Sequence, residues 1–311
     1  MDTKQSGVYR RWDDGFVVRR MKKGEEQQVI GWFGSIEAMP SDLELAIDMR
    51  GDYIDVDSFY VGELNGEMIA SLVQTPIADD LVYVSAIYVD ERHRKLGLTR
   101  RMINTAQEVE ERKNRIATSV LDSYEHLVSV YEKFGYRSAA KTTTYQGTVS
   151  ANATQERFGT DVAEVGDADL NRLISYDDKC FIRPGSTWRR EFLTRWIKIP
   201  GGRAVMAVSQ DEVVGYGCRR PSITADGHHF IGPLYADSYG ISWDLVQELT
   251  SDVIGQTVSM TVVEPNVEAL RLVDEMKLKD TEPMIRMFRD GQPKTLSPQI
   301  VAITSDTVCG F

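Results

Sequence analysis

Long apolar runs are missing from this 311-residue chain, and its first residues, MDTKQSGVYRRWDDG, contain no apolar signal-peptide core. The first absence argues against a bilayer-spanning helix, the second against a secretory leader. Cysteine is scarce. Cys180, Cys218 and Cys309 are too few for a disulfide framework and lack metal-ligand spacing, so they read as small apolar fillers in a reducing, cytoplasmic setting. Positive charge is in deficit, with 36 Lys and Arg against 47 Asp and Glu and a net charge of −11. That argues against a general nucleic-acid coat and mildly favours cationic partners. Neither a Walker A loop nor a Gly-x-Gly-x-x-Gly fingerprint occurs, which disfavours ATP and NAD sites. His228 and His229 are adjacent but have no third ligand at a recognisable spacing, so no metal is expected.

What is present is ordinary globular sequence, 42% hydrophobic and 27% charged, in a length that suits two domains. In the first half, Phe16 to Val18 reads as a strand and Glu25 to Met39 as a helix, with Val29, Ile30, Trp32, Phe33 and Ile36 at helical intervals. Pro40-Ser41-Asp42 marks a second helix start. Asn65-Gly66 between SFYVGEL and EMIASLVQT is a hairpin signal. LVYVSAIYV (81–89) has few polar residues and belongs at the sheet centre. A basic turn and an amphipathic helix to about Lys113 follow, then a strand (RIATSVL), a helix from Tyr124 to Phe134, and a Thr-rich strand to Val149. SANATQERFG is polar and aperiodic, a linker. After it the same order of elements returns, ending in the strand DTEPMIRMFRD. The expected architecture is α/β, with domains at 1–149 and 160–311 joined by 150–159.

The informative segment is IYVDERHRKLGLTRRM (87–102). A strand ends, a turn carries Arg94, Gly97 and Thr99 in the pattern Arg-x-x-Gly-x-Thr, and a helix opens. The N–H groups of a helix start have no internal partners and sit at the positive end of the dipole, so they accept phosphate readily. Glycine allows close backbone approach, and Arg92, His93, Lys95, Arg100 and Arg101 add positive charge. Alone, the segment reads equally as a solvated basic turn. Some 30 residues on, DSYEHLVSVYEKFGY is a helix closing at Gly135 with Tyr131 one turn earlier.

Both segments, in this order, resemble the GNAT superfamily of acyl-CoA N-acyltransferases. Arg94, Gly97 and Thr99 match its pyrophosphate motif, with Thr99 departing from the usual smaller residue. Val130, Tyr131, Gly135 and Tyr136 match its Leu-Tyr-x-x-x-Gly-Phe ending. The resemblance implies two tandem domains, each a mixed, mostly antiparallel sheet flanked by helices. It implies acetyl-CoA as co-substrate, held by the backbone of Ala86, Ile87, Tyr88 and Val89 and by the turn through Arg94, Lys95, Leu96, Gly97, Leu98, Thr99 and Arg100. Tyr131 is then the acid that protonates the departing thiolate. Asp122 and His126 are candidate bases, with helix capping and plain surface exposure as their alternative readings.

The second half reads as a degraded copy. A shift of 143 residues lays Gly240 over Gly97 but Asp237 over Arg94 and Asp244 over Arg101, and at the later helix Val273 stands for Tyr131 and Lys277 for Gly135. Its SYDDKCFIRPGSTWRR segment offers Asp177, Asp178, Phe181 and Trp188 as substrate contacts, since carboxylates and aromatics suit an ammonium ligand; a capping loop over core aromatics fits it as well. The expected activity is acetyl transfer to a small primary amine by direct attack in a ternary complex. Acetylation of protein lysines or N-termini, and a non-catalytic acyl-CoA-binding module, stay open, as does a homodimer.

Overall fold

The computed structural model describes residues 7–34, 58–113, 118–150, 157–222, 225–281, 283–291 and 297–305. The helix start expected at Pro40 lies outside them. Within the first half the elements are β1 (Val8–Arg11), β2 (Phe16–Arg20), α1 (Glu26–Gly34), β3 (Phe59–Leu64), β4 (Glu67–Ala78), β5 (Leu81–Val89), α2 (Leu98–Arg112), β6 (Thr118–Tyr124), α3 (Val128–Glu132) and β7 (Arg137–Thr148). The second half continues with β8 (Asp161–Glu164), α4 (Leu170–Cys180), α5 (Thr187–Trp196), β9 (Arg203–Ser209), β10 (Glu212–Pro221), β11 (His228–Ala236), α6 (Tyr239–Thr250), β12 (Thr257–Val263), α7 (Val267–Glu275), β13 (Lys279–Asp280), β14 (Met284–Arg289) and β15 (Ile300–Ala302). Among the described residues the repeated order read from sequence is present, with β1, β13 and β15 as additional strands. All three are short, and β1 (VYRR) is half basic, so none carries a periodic apolar signal.

Local chemistry explains the turns. Asn65 and Gly66 both adopt positive φ (51° and 84°) between β3 and β4, and Gln210 and Asp211 do the same (50° and 64°) between β9 and β10. Two residues in the left-handed region match the twist of the flanking strands. On α2, Leu98, Met102, Thr105, Ala106 and Val109 are buried; this spacing puts one stripe against the sheet.

All strands among the described residues form one sheet, in the order β1-β2-β3-β4-β5-β6-β14-β7-β12-β11-β10-β9-β8, with β13 on β7 and β15 on β11. The last strands of the two halves have changed places. β14, from the second half, pairs on one side with β6 and on the other with β7, while β7 continues into β12 through seven antiparallel residue pairs. Sheet membership thus does not follow the covalent boundary at the linker.

The faces are covered unequally. In the first half, α2 and α3 pack on one face with Phe16, Leu72, Val84 and Leu121. The opposite face of the same strands is buried under α1 and, from the second half, α4 and α5: Phe59, Val73 and Tyr83 share a cluster with Leu173, Phe192 and Trp196. The α4–α5 connection is fastened to the end of β4 by Ser186, whose hydroxyl donates to the Ile77 carbonyl at 2.5 Å, and by an Arg183–Asp80 ion pair at 2.7 Å.

At the exchange, Arg286 of β14 donates two parallel hydrogen bonds to Asp122 of β6, at 2.9 and 2.7 Å. Both side chains are 1% exposed. Breaking such a pair from one side leaves a buried charge uncompensated. Arg286→Met alone should therefore cost about 3–5 kcal/mol in urea denaturation, and the double variant Asp122→Leu/Arg286→Met distinctly less than the two single losses combined. Additive losses would show that the pair does not hold the exchange.

Candidate active site

β5 and β6 run parallel but pair only at Leu81–Thr118, Val82–Ser119 and Tyr83–Val120. Beyond Tyr83 they separate, and among the described residues no strand enters the gap. On its other side β5 stays paired with β4, where an irregularity between the Val73–Ser85 and Ser71–Tyr88 pairs leaves an extra residue on β5. Ala86 absorbs it with φ of 47°, and its carbonyl accepts the Ser71 hydroxyl at 2.8 Å. A bulge of this kind redirects the backbone locally. It falls at the residues, Ala86 to Val89, that the sequence nominated for backbone contact.

The turn after β5 is open to solvent. Leu96 is 58% exposed. Gly97 has φ of 74°, and a Cβ placed on it would meet nothing within 4 Å. It is the N-cap of α2 and provides no side-chain hydrogen bond, and no acidic residue lies in the first turn. The free N–H groups of Leu98, Thr99 and Arg100 and the positive dipole end therefore face outward, available to an anion. The surrounding cations are unequally free. Arg92 is committed to Asp90 and Glu67, which draws the Asp90 carboxyl down to about 2. Arg101 pairs with Asp14 at 2.6 Å and lies over Trp12. Arg94 is half exposed and oriented by the Val89 carbonyl at 3.1 Å and by Glu91 at 3.3 Å. Lys95 and Arg100 form no ion pair with another described residue, so three cations of the turn can reach a ligand.

Tyr131 of α3 shares its cluster with Val84 and Leu121, the residues just past the last pair of β5 and β6. It is 8% exposed and packs edge-on to Tyr136 at 6.1 Å. Burial, with Tyr136 nearby, raises its hydroxyl above the ordinary value of 10, so at neutral pH it keeps its proton and can donate it.

The other sequence candidates sit differently. Asp122 accepts two bonds from Arg286, one from Tyr83 at 3.0 Å and one from Thr142 at 3.3 Å. With both oxygens engaged twice over, this carboxylate has no lone pair left for an incoming amine proton; its place is structural. His126 is exposed and stacks on Tyr124 at 5.8 Å. Asp177, Phe181 and Trp188 are 2–4% exposed. The mix of carboxylate and aromatic does hold a cation, but that cation is the chain's own: Arg189 forks onto Asp177 at 2.7 and 3.1 Å and lies 4.7 Å from the Phe181 ring. Trp188 stacks on Phe192 at 4.8 Å, and Asp178 closes the loop by accepting the Gly185 N–H at 2.5 Å. These four residues are corrected from substrate contacts to core and loop supports. Arg286 was missed in the sequence. An arginine in the middle of the otherwise apolar run Met284 to Phe288 was the available signal. It lines, with Ile182, Val263, Glu264, Phe288 and Ile300, a cavity of about 600 Å³ on the face covered by α1, α4 and α5.

The second half repeats the frame with different contents. β11 and β12 also pair in parallel for three residues, at His228–Thr257, His229–Val258 and Phe230–Ser259. Here β15 enters the gap: Leu234 and Tyr235 pair with Ala302 and Ile300, the Ala236 N–H donates to Gln299 at 2.9 Å, and the Ile303 N–H donates to Thr261 at 3.0 Å. A Cβ on Gly232 would strike the Ile303 carbonyl and approach that of Thr304 to 2.9 Å. The helix start is covered too. The N–H groups of Phe158 in the linker and of Thr160 just after it donate to buried Asp244 at 2.8 Å each, and the Phe158 ring lies against Gly240. At the later helix the correspondence is close. Tyr136 N–H bonds to Tyr131 O and Leu278 N–H to Val273 O, and Gly135 and Lys277 both take positive φ. Buried Val273 thus stands in the place of Tyr131. His228 and His229 bond to Ser259 and Gln256 at 2.7 Å. Among the described residues no group of three metal-ligating side chains occurs, and no helix is long and apolar enough to cross a membrane.

Comparison with known proteins agrees with this geometry. A model described as "Acetyltransferase (GNAT) family" matches residues 32–136, and one described as "Acetyltransferase (GNAT) domain" matches 173–300. The chain belongs to the GNAT acyltransferases and carries two GNAT domains in tandem. It is 24% identical over 285 residues to a holothin acyltransferase from Pseudoalteromonas sp. (strain SANK 73390), covering 90% of each chain. In structure it is similar to a putative acetyltransferase from Pyrococcus horikoshii (TM-score 0.76, 17% identity, 96% of this chain and 98% of that one). It is also similar to a tandem GNAT protein from the clavulanic acid biosynthesis pathway (TM-score 0.64, 11% identity, 90% and 100%).

Because Gly232 has no room for a methyl group beneath β15, Gly232→Ala should loosen that strand. Hydrogen exchange at 300–303 should speed up while the 84–100 region keeps its protection. Unchanged exchange at 300–303 would mean that β15 does not seal the gap.

Proposed function

We propose that this GNAT acyltransferase moves an acetyl group from acetyl-CoA to a small primary amine, by direct attack in a ternary complex, at a single site in its first half. The observation that carries the reading is the contrast between the two gaps: no described strand enters β5/β6, beside a cationic helix start, whereas β11/β12 is filled by β15 beside a helix start covered by the linker. A diphosphate would rest on the N–H groups of Leu98 to Arg100 with Arg94, Lys95 and Arg100 as counter-charges. The backbone from Ala86 to Val89 would face the pantetheine and the acyl oxygen, where fixed N–H dipoles stabilise developing negative charge.

In the reaction the neutral amine nitrogen bonds to the acyl carbon and the carbon–sulfur bond breaks. Sulfur leaves with the proton of Tyr131, and the surplus amine proton passes to solvent, from which Tyr131 is reprotonated. A dry pocket raises the phenol but equally penalises a free thiolate, so proton transfer to sulfur relieves a buried charge. Two further features agree with the reading. The acidic surface suits an acceptor that is cationic in bulk solution, and the buried free thiols of Cys180 and Cys218 suit a reducing, cytoplasmic setting. The relative named a holothin acyltransferase supports acyl transfer as the activity.

Free-thiol release from acetyl-CoA with an amine panel tests this. Tyr131→Phe should lower kcat by about 10²-fold or more with coenzyme A affinity nearly unchanged. Arg94→Glu should weaken coenzyme A binding in calorimetry by about tenfold or more, and Asp237→Ala should leave it within twofold. Because Tyr131 titrates above 10, the rate should climb with pH as the amine deprotonates and show no fall from this group below pH 10. Equal effects of the Arg94 and Asp237 changes would remove the asymmetry between the halves.

A further inference from the structure

The cavity beside Arg286 lies outside the coenzyme gap. Arg286 and Phe288 of β14 form its inner wall and pair with Asp122 and Val120, so β6 stands between that wall and the gap. The cavity encloses about 600 Å³, the size of a small-molecule site. Its floor comes from β7. Between the Arg286–Ala140 and Met287–Ser138 pairs Ala139 is an extra residue, and two alanines fill little of the space above them. Its far wall comes from the second half. Ala236 N–H donates to the Gln299 carbonyl at 2.9 Å, and Asn266 Nδ2 donates to the carbonyls of Pro298 and Ile300 at 3.2 and 2.9 Å. Both walls are held by the chain's own bonds, so the volume is preformed, where a close-packed seam would leave no space much larger than a water.

The lining charges select the sign of a ligand. Asp237, Glu264 and Glu268 face one guanidinium, that of Arg286, which is already forked onto Asp122. Glu264 is offset by Lys141 at 3.1 Å. Asp237 accepts the Tyr176 hydroxyl at 2.8 Å and, like Glu268, pairs with no cation among the described residues. Two carboxylates are left over. The start of α7, which opens here, offers an anion little. Asn266 Oδ1 accepts the Ala269 N–H at 3.0 Å, and Glu268 occupies the first turn, at the positive end of the dipole. The start of α2, with neither a side-chain cap nor an acid, is the reverse.

We infer that this cavity binds a small organic cation, its ammonium head held by Asp237 and Glu268 and its hydrocarbon body lying against Ile182, Phe288 and Ile300. Carboxylates in a recess favour a cation over its neutral isostere, and the apolar lining favours a hydrocarbon body over a bare metal ion. Because the walls come from both halves, an occupant bridges the seam and stabilises the folded chain by mass action.

Three probes of one frame, 4-phenylbutylamine, 4-phenylbutanol and 4-phenylbutyrate, test this by calorimetry on the full chain at neutral pH and low salt. The amine should bind at one site about tenfold more tightly than the alcohol, and the carboxylate least. Glu268→Gln and Asp237→Asn should each weaken the amine about threefold and leave the alcohol unchanged. Asp161→Asn, at an exposed position on the edge strand β8, should change neither. Ala139→Leu fills the floor and should weaken amine and alcohol alike by about tenfold, whereas Ala139→Ser should leave both nearly unchanged. Equal binding of the three probes, an amine preference unmoved by both carboxylate variants, an equal loss with Asp161→Asn, or no binding overturns the site and leaves the acetyl-transfer reading untouched. Thiol release from acetyl-CoA by the bound amine makes the occupant the acceptor, with Asp237 and Glu268 as its specificity residues. Saturable binding without thiol release makes it a separate effector, and either result supports the cation site.

Discussion

Two parallel strands that part after three residue pairs leave backbone donors and acceptors facing a gap, and buried groups of that kind must find partners. Each half of this protein builds such a gap, between the parallel strands that flank its crossover helix. The difference between the halves lies in what fills it. Between β11 and β12 the chain provides its own strand, so the second gap is closed by ordinary ladder hydrogen bonds. Between β5 and β6 no described strand does so, and the bulge at Ala86 keeps the backbone turned. Loss of the cationic turn, loss of the tyrosine and docking of the linker on α6 all follow the same division.

The second half nonetheless completes the first half's sheet and core. Its α4 and α5 cover the face of β3 to β5 opposite α2, and its β14 brings Arg286 against Asp122. A carboxylate at that strand end would otherwise be a buried charge; the forked guanidinium makes it a fixed wall instead. The buried Asp177–Arg189 pair plays a parallel part in the second half, anchoring α4 to α5 and, through Thr304, to the segment that follows β15.

The fold was legible because its signals are local. Asn65-Gly66, the apolar run at 81–89 and the glycine-opened helix at 97 each specify a conformation by themselves, and their recurrence in order gave the two-domain plan. The open glycine turn after β5 and the short helix that carries Tyr131 were legible as geometry for the same reason: each is specified by a short local spacing. What was not legible depends on contacts far apart in sequence. Nothing near Asp122 tells that Arg286 lies opposite it, 164 residues on, and nothing near Asp177 tells that Arg189 will be its cation. The exchange of β7 and β14 is equally silent, since either strand has the composition to sit beside either neighbour.

That exchange has a consequence for how such a chain can arise and be divided. A first half on its own would have either to fold β7 back beside β6, in the place β14 now takes, or to leave that edge to a second copy offering the reciprocal strand. The tandem chain is topologically that intertwined pair with one covalent link, and cutting the link at 150–159 would leave two pieces still laced together. Once joined, the two halves were free to diverge, one gap staying without a described strand and the other taking up β15.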